Sequence, residues 1–279
     1  MSAVLQLLRA QGTELHTSAS AIRCLQECPR QYWLRYVEGR PPQDRSARMV
    51  LGSAIHKALA LFYRCLRDGD PEPDHQTLLG VAAASITTEA MGDPAIAYKE
   101  GADSAALIAE ASGLLHAFLD QGFRPRRVLA VEEPFSLDLS DPTTGEVMGY
   151  EERVVGAMDL VALQDDGALI VVDHKLCSRK DTAKAERADV QMGLYAWAAQ
   201  QVWGREPALL YQDLVSTKQA KVVIQEVARQ PGDVEEVLES VASALELIHV
   251  AVDHPAGKKL MARRRSWMCA GCGWRQACG

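Results

Sequence analysis

Over the first 127 residues, apolar positions recur at helical spacing. Leu51, Ile55, Leu59 and Phe62 fall three or four apart, which puts them on one stripe of a helix over 51–67. Ser18 or Ser20 suits the start of a helix running to about Val37, because a serine hydroxyl can satisfy a free N–H of the first turn. Further helices are expected over 76–91 and 103–120, separated by the Gly- and Pro-containing stretch 92–101. The character then changes. Segments 128–139, 148–163 and 168–174 are rich in β-branched residues and punctuated by Gly, Pro and Asp, so they read as strands. A helix over 185–203, strands over 208–215 and 221–227, and a helix over 234–250 complete the order. Helices, antiparallel strands, helix, strands and helix predict an α/β or α+β core with a helical insertion and no clean domain boundary.

The turn between the second and third strands decides where two carboxylates go. Asp165, Asp166 and Gly167 form a hairpin signal. With a two-residue loop, Asp159 faces His174, and Asp173 falls on the opposite side. With a three-residue loop and a left-handed Gly167, Asp159 faces Asp173, their Cβ atoms about 4.5–5.5 Å apart. Lys175, two residues on, then points the same way. We expect the three-residue loop, which gathers two carboxylates and an ammonium on one surface. Close carboxylates repel unless protonated or bridged by a cation. Such oxygen ligands suit Mg²⁺ or Mn²⁺. A bound cation lowers the pKa of its water and polarises a phosphodiester, and Lys175 can orient that water or steady charge growing on the phosphate. An Asp-x-Lys alone is common, and an ordinary strand-end salt bridge is the competing reading.

Composition changes this picture little. The chain has 279 residues, 48% hydrophobic and 24% charged, as an ordinary globular protein does. No basic N-terminal leader and no run of about 20 apolar residues stand out, so a soluble cytoplasmic protein is expected. The net charge of −7 argues against a nonspecific nucleic-acid binder. Metal-holding carboxylates lower net charge, however, and local basic clusters exist: Arg124, Arg126 and Arg127; Arg179, Lys180 and Lys184; Arg263, Arg264 and Arg265. Each cluster alone fits a solvated surface. Seven cysteines, an odd count without a secretion signal, speak against a disulfide framework and for metal binding or reactive thiols. No phosphate-binding Gly-x4-Gly-Lys-Ser/Thr loop is present, so the chain brings no motor of its own.

Six ordered motifs carry a resemblance. They are Cys28-Pro29-Arg30 with Tyr32, Trp33 and Tyr36; Gly52-Ser53-Ala54-Ile55-His56; Gly156-Ala157-Met158-Asp159; Val172-Asp173-His174-Lys175; Gln191-Met192-Gly193-Leu194-Tyr195; and Cys269-x2-Cys272-x5-Cys278. Over residues 18–278 the chain resembles the PD-(D/E)XK nuclease superfamily, in particular its RecB-like iron–sulfur branch, which includes the AddB nuclease domain and CRISPR-associated stand-alone exonucleases. The pattern departs in having Met158 before Asp159, where proline is usual, and Leu176 after Lys175, where a small hydroxyl residue is common.

The resemblance implies a restriction-endonuclease-like α/β fold: a mixed central sheet flanked by helices, with an N-terminal helical region. It implies one domain over 1–279, with 17–127 mainly helical, 128–250 the nuclease core, and Cys28 and 267–279 the cluster-binding ends. His56, Asp159, Asp173 and the main-chain carbonyl of His174 would hold Mg²⁺ or Mn²⁺. Asp159, Asp173 and Lys175 would carry catalysis. Gln191 and Tyr195, i and i+4 on one helix face, would contact the DNA backbone or position Lys175. Cys28, Cys269, Cys272 and Cys278 would hold a [4Fe-4S] cluster; spacing alone leaves zinc open. Such a clamp closes a loop of about 240 residues. Cys24, Cys65 and Cys177 are read as small buried apolar residues. Tyr32, Trp33, Tyr36, Trp267 and Trp274 are read as packing, with base stacking as the sharper alternative.

The implied activity is exonuclease action on single-stranded DNA, from a 5′ end, in DNA repair, CRISPR spacer processing or phage recombination. A nuclease subunit active only with a helicase, recombinase or integrase partner, and a non-catalytic DNA-binding module, are the competing functions. Intact Asp159, Asp173 and Lys175 argue against the last.

Overall fold

The computed structural model describes residues 16–92, 94–142, 144–177 and 189–278. The expected strand order folds into a six-stranded mixed sheet. It comprises β1 (His16–Thr17), β4 (Arg127–Asp138), β5 (Arg153–Leu163), β6 (Leu169–Cys177), β7 (Ala208–Val215) and β8 (Lys221–Glu226). β5 pairs antiparallel with β4 and with β6, and takes β1 in parallel at Arg153 and Val154. β6 and β7 are parallel, as a helical crossover between them requires, and β7 and β8 are antiparallel. β2 (Arg45–Ser46) and β3 (Ile96–Ala97) form a separate small ladder.

Helices cover both faces of the sheet. One face carries α1 (Ala19–Glu27), α6 (Val190–Trp203) and α7 (Asp233–Asp253), packed over Val161, Val171, Trp197, Tyr211 and Leu238. The other carries α3 (Ala47–Asp68), α4 (His75–Ala90) and α5 (Ser104–Gln121), packed over Leu160, Ile170, Val172, Phe62 and Leu115. Successive β6 residues alternate between these cores, so the strand reads as an unbroken apolar run rather than an alternating one. α3 is long and apolar enough on average to cross a membrane, although, as expected, it holds no run of about 20 apolar residues. Its apolar stripe is instead spent on the sheet: Leu51, Ile55, Leu59 and Phe62 are all buried.

Several boundaries differ from expectation, two of them for a clear local reason. The helix expected from Ser18 to Val37 is broken. Ser18 caps α1, accepting from Ala21 N at 3.3 Å, but Cys28 is extended at φ −156°. Pro29 lacks an N–H and restricts the residue before it, so it starts a new short helix, α2 (Pro29–Tyr32), which runs into a π turn over Trp33–Val37. The strand expected from 148 begins at Arg153, because Gly149 sits at φ +77° and turns the chain. α7 runs three residues past the expected end at 250. The expected start of the 185–203 helix, and the cluster Arg179, Lys180 and Lys184, lie outside the described residues; α6 is capped by Asp189, which accepts from Met192 N at 3.0 Å.

Two motif glycines are packing contacts. A Cβ on Gly193 would stand 2.6 Å from Val237 Cγ2, so its absence lets α6 sit close against α7. A Cβ on Gly156 would stand 2.5 Å from the Phe135 ring. Gly193→Ala is expected to cost about 1–3 kcal/mol, as overpacking does, read as a lower urea midpoint. It should also reduce activity, because α6 carries Gln191 and Tyr195. An unchanged midpoint would mean that α6 shifts freely.

Candidate active site

The hairpin after β5 takes the three-residue form. Gly167 lies at φ +79°, Gln164 N bonds Ala168 O at 3.0 Å, and the register runs from Leu163 opposite Leu169 to Leu160 opposite Val172. One step further sets Asp159 opposite Asp173. The ladder stops there. The His174 N–H, free of a backbone partner on β5, donates to Asp159 Oδ2 at 2.8 Å. The functional side chains thus stand where two strands part and a side chain replaces the backbone pairing.

Asp173 is 1% exposed. Gln191 Nε2 donates to its Oδ1 at 2.9 Å, and the Lys175 ammonium lies 2.7 Å from Oδ2. That second contact is a close ion pair, and it does not use up the lysine's donors. Lys175 Nζ also donates to Gln191 Oε1 at 2.8 Å. Gln191 Nε2 also reaches Tyr195 Oη at 2.8 Å, and that hydroxyl donates to Ala157 O at 2.6 Å. One amide on α6 therefore fixes both the carboxylate and the ammonium. Burial pushes the Asp173 carboxyl up, against the pull of Lys175 and with the charge of Asp159 adding to the rise, to about 6.

His56 projects from α3 on the other side. Its Nε2 lies 2.8 Å from the His174 carbonyl oxygen, and its Nδ1 faces Asp159 Oδ1 at 3.5 Å. Burial alone would lower its pKa, but the hydrogen bond and charge of Asp159, with Asp173 and Glu132 behind, raise it to about 9. Burial would raise Asp159, yet His56 and the His174 N–H hold it below the usual carboxylate range. The His174 imidazole turns away from this cluster. It stacks on Tyr63 at 5.4 Å and 8°, meets Gln212 Nε2 at 3.1 Å, and burial pulls it down to about 4. Its main-chain oxygen is what faces the site.

The structure adds one residue that sequence reasoning missed. Glu132 lies across β4–β5 from Asp159, between the pairs Val131–Leu160 and Glu133–Met158. It has φ +52°, the one left-handed non-glycine among the described residues. That conformation costs about 1–2 kcal/mol. His56, Glu132 and Asp159 each offer a ligand atom, all within 4.8 Å of one another. Asp173 is not in that trio. An open cleft of about 700 Å³, lined by Gly52, His56, Lys57, Arg64 and Glu132 among others, gives access. The only trace of Glu132 in the sequence is a pair of glutamates interrupting a β-rich run.

The four cysteines of the outer motifs also converge. Cys28, Cys269, Cys272 and Cys278 line one cavity of about 320 Å³ and form no disulfide. The extended backbone that Pro29 imposes at Cys28 puts that residue between α1 and α2. Arg30 ties the chain ends together, donating to Met261 O at 2.9 Å and to Lys258 O at 2.8 Å, and Trp274 Nε1 donates to Arg40 O at 2.7 Å. Four thiols free of disulfides share one void, a donor set that suits a thiolate-held metal group, although no three of their sulfurs stand within 4.8 Å of one another. Cys24 and Cys177 are buried as expected, while Cys65 is half-buried. Burial pushes the Cys24 thiol up to about 12, which leaves it unreactive. Tyr32 and Trp274 are packed, whereas Trp267 is 87% exposed.

A sequence profile of the PD-(D/E)XK nuclease superfamily matches residues 16–279. No curated protein matches the chain. Among solved structures, a candidate exonuclease from Eubacterium rectale is similar over 92% of this chain and 86% of its own, at 11% identity and a TM-score of 0.50, a likeness of fold. The structure of SSO0001 is similar over 91% of this chain and 93% of its own, at 14% identity and a TM-score of 0.34, too low to carry weight.

Proposed function

The chain belongs to the PD-(D/E)XK nuclease superfamily, and on that premise we propose a Mg²⁺- or Mn²⁺-dependent exonuclease that hydrolyses phosphodiesters at single-stranded DNA ends, in the 5′ to 3′ direction. The observation that supports it best is the set of His56, Asp159, Asp173 and Lys175 gathered where β5 and β6 part. Each chemical role has a candidate there.

The His56 imidazole and the Asp159 carboxylate suit a hard divalent cation, with the buried Asp173 carboxylate and the His174 carbonyl as the other expected ligands. Glu132 stands beside them as a further oxygen ligand. When bound, the ion supplies a more acidic water and a polarised phosphoryl oxygen. Lys175, anchored by Gln191, places a positive charge where the phosphate gains negative charge. Gln191 and Tyr195 hold that lysine and Asp173 in register. In this reading Cys28, Cys269, Cys272 and Cys278 would hold a [4Fe-4S] cluster, with zinc as the alternative, as the resemblance to the RecB-like iron–sulfur branch implies. Activity within a complex with a helicase, recombinase or integrase is compatible with the absence of a nucleotide-binding loop.

Single strands labelled at either end test the mode of action. Early loss of the 5′ label as mononucleotide or short oligomer supports the 5′ exonuclease. Internal fragments with both labels retained contradict it.

The raised pKa of His56 gives a second expectation. In the metal-free protein its protonation stabilises the fold fully below about pH 6.5, and that contribution is lost as pH rises through about 9. A cation needs the neutral imidazole, so metal uptake should release a proton at neutral pH. Mn²⁺ affinity by calorimetry should therefore rise between pH 6.5 and 8.5, by up to roughly tenfold per unit. A flat profile with no proton release removes His56 from the ligand set.

A further inference from the structure

A groove runs from the active site towards the cysteines. It is a cavity of about 330 Å³, bounded by Arg23, Gln31, Arg35, Phe135, Gln191 and Tyr195 among others. At one end, Gln191 and Tyr195 are the side chains that hold Asp173 and Lys175. At the other, Gln31 also lines the cysteine cavity, so the two spaces share a wall.

The charges along it run against the net charge of −7. Arg23 Nη2 donates to Gln191 Oε1 at 3.1 Å, the same oxygen that accepts from Lys175 Nζ. Two cations thus converge on one amide at the groove's inner end. The carboxylate contact of Arg23 is Asp189 at 3.9 Å, with both side chains more than 40% exposed, a weak pair. The Arg35 guanidinium lies over the rings of Tyr36 at 4.9 Å and Trp274 at 5.7 Å, and no described carboxylate forms an ion pair with it. Glu27 is the one acid on the groove wall. Beyond the shared wall, the cysteine cavity is rimmed by Arg264, Arg265 and Arg275.

We propose that this groove binds the sugar-phosphate backbone of one unpaired DNA strand, with Arg23 on a phosphate beside the one attacked and Arg35 on a phosphate nearer the cysteines. The nature of the ligand rests on the nuclease reading of the adjoining site. The choice of an unpaired strand follows the proposed substrate of the adjoining site. The groove's two arginines give it the positive charge that a groove tracking a phosphate backbone needs. Neither arginine is among the residues proposed to hold the metal, although Arg23 shares the Gln191 amide with Lys175.

The test is binding without cutting, by fluorescence anisotropy of a labelled oligothymidylate in EDTA, over roughly 50–200 mM salt. The double variant Arg23→Gln, Arg35→Gln should bind at least about tenfold more weakly. Its log-affinity against log-salt slope should fall by about 0.7 for each phosphate that is no longer neutralised. Lysines at both positions should restore the slope, because holding a phosphate needs charge and a packing role does not. Arg35→Gln alone, at a side chain with no ion pair to a described carboxylate, guards against loss of fold and should show half the slope change. An unchanged slope in the folded double variant overturns the proposal. So does a hairpin duplex that binds as tightly as the single strand with the same fall in slope. Wild-type cleavage of the same oligonucleotide in Mn²⁺ is read separately. Arginine-dependent binding without cleavage would leave the groove standing and restrict the nuclease reading to its partner-dependent form, against a non-catalytic module.

Discussion

Asp173→Asn lowers DNA cleavage by at least about 1,000-fold, a barrier increase of roughly 4 kcal/mol, while leaving the fold intact. The substitution keeps the shape and the acceptor for Gln191 but removes the charge that pairs with Lys175 and would hold the cation. Loss of a metal ligand and of the lysine's counter-charge together account for an effect of that size. Stability behaves differently. The Asp173 carboxyl is raised to about 6, so its proton stabilises the fold below about pH 4 and that contribution is gone above about pH 6. At pH 7.5 the buried charge gives the metal-free fold no support. The Asn variant should therefore melt no lower than the wild type in EDTA, and the metal-induced rise in Tm should shrink. Activity within tenfold of wild type would remove Asp173 from the chemistry. A collapse in Tm would make the aspartate structural.

Cys28→Ala lowers Tm by about 10 °C or more and abolishes the visible absorption of an anaerobically prepared protein. If the four thiols share one group, the link from Cys28 to Cys269 closes a loop of about 240 residues. Closure on that scale is worth roughly 5 kcal/mol, and each kcal/mol shifts Tm by about 2–4 °C in a chain of this class. The Arg30, Trp274 and Gln43 contacts between the chain ends remain, so the variant should still fold. Cys24→Ala, one helical turn away, should keep the colour and most of the stability, because that thiol is buried outside the cavity lining. A colourless wild type with one bound zinc would reassign the site to zinc. An unchanged Tm in the Cys28 variant with no metal bound would leave the cavity without a cofactor.

What the sequence revealed depends on how locally each feature is set. The Asp159–Asp173 register was legible because three loop residues and one left-handed glycine fix it within the hairpin. Gln191 and Tyr195 were legible as an i, i+4 pair, and the helix under His56 from its apolar stripe. Glu132 was not. Its place opposite Asp159 depends on the register between β4 and β5, whose connection over 139–152 is too long for turn chemistry to set. Its left-handed backbone, too, is visible only in the fold. The break at Cys28 was signalled by Pro29, but helical spacing on both sides masked it. Arg23 and Arg35 sit on elements whose sequence says only helix, and their common groove arises from packing of α1 and α2 beside the sheet. Likewise, the apolarity of α3 has one meaning in a membrane and another against Leu160 and Val172, and tertiary contacts decide between them.

The most direct measurement of the central claim is cleavage of end-labelled single-stranded DNA by anaerobically purified protein in Mg²⁺ or Mn²⁺, with Lys175→Ala beside the wild type. Stepwise degradation that stops in EDTA and is at least about 100-fold slower in the variant, as loss of a charge-stabilising group predicts, is the expected result. Degradation that persists in EDTA, or that Lys175→Ala leaves unchanged, would contradict a metal-dependent site built from Asp159, Asp173 and Lys175.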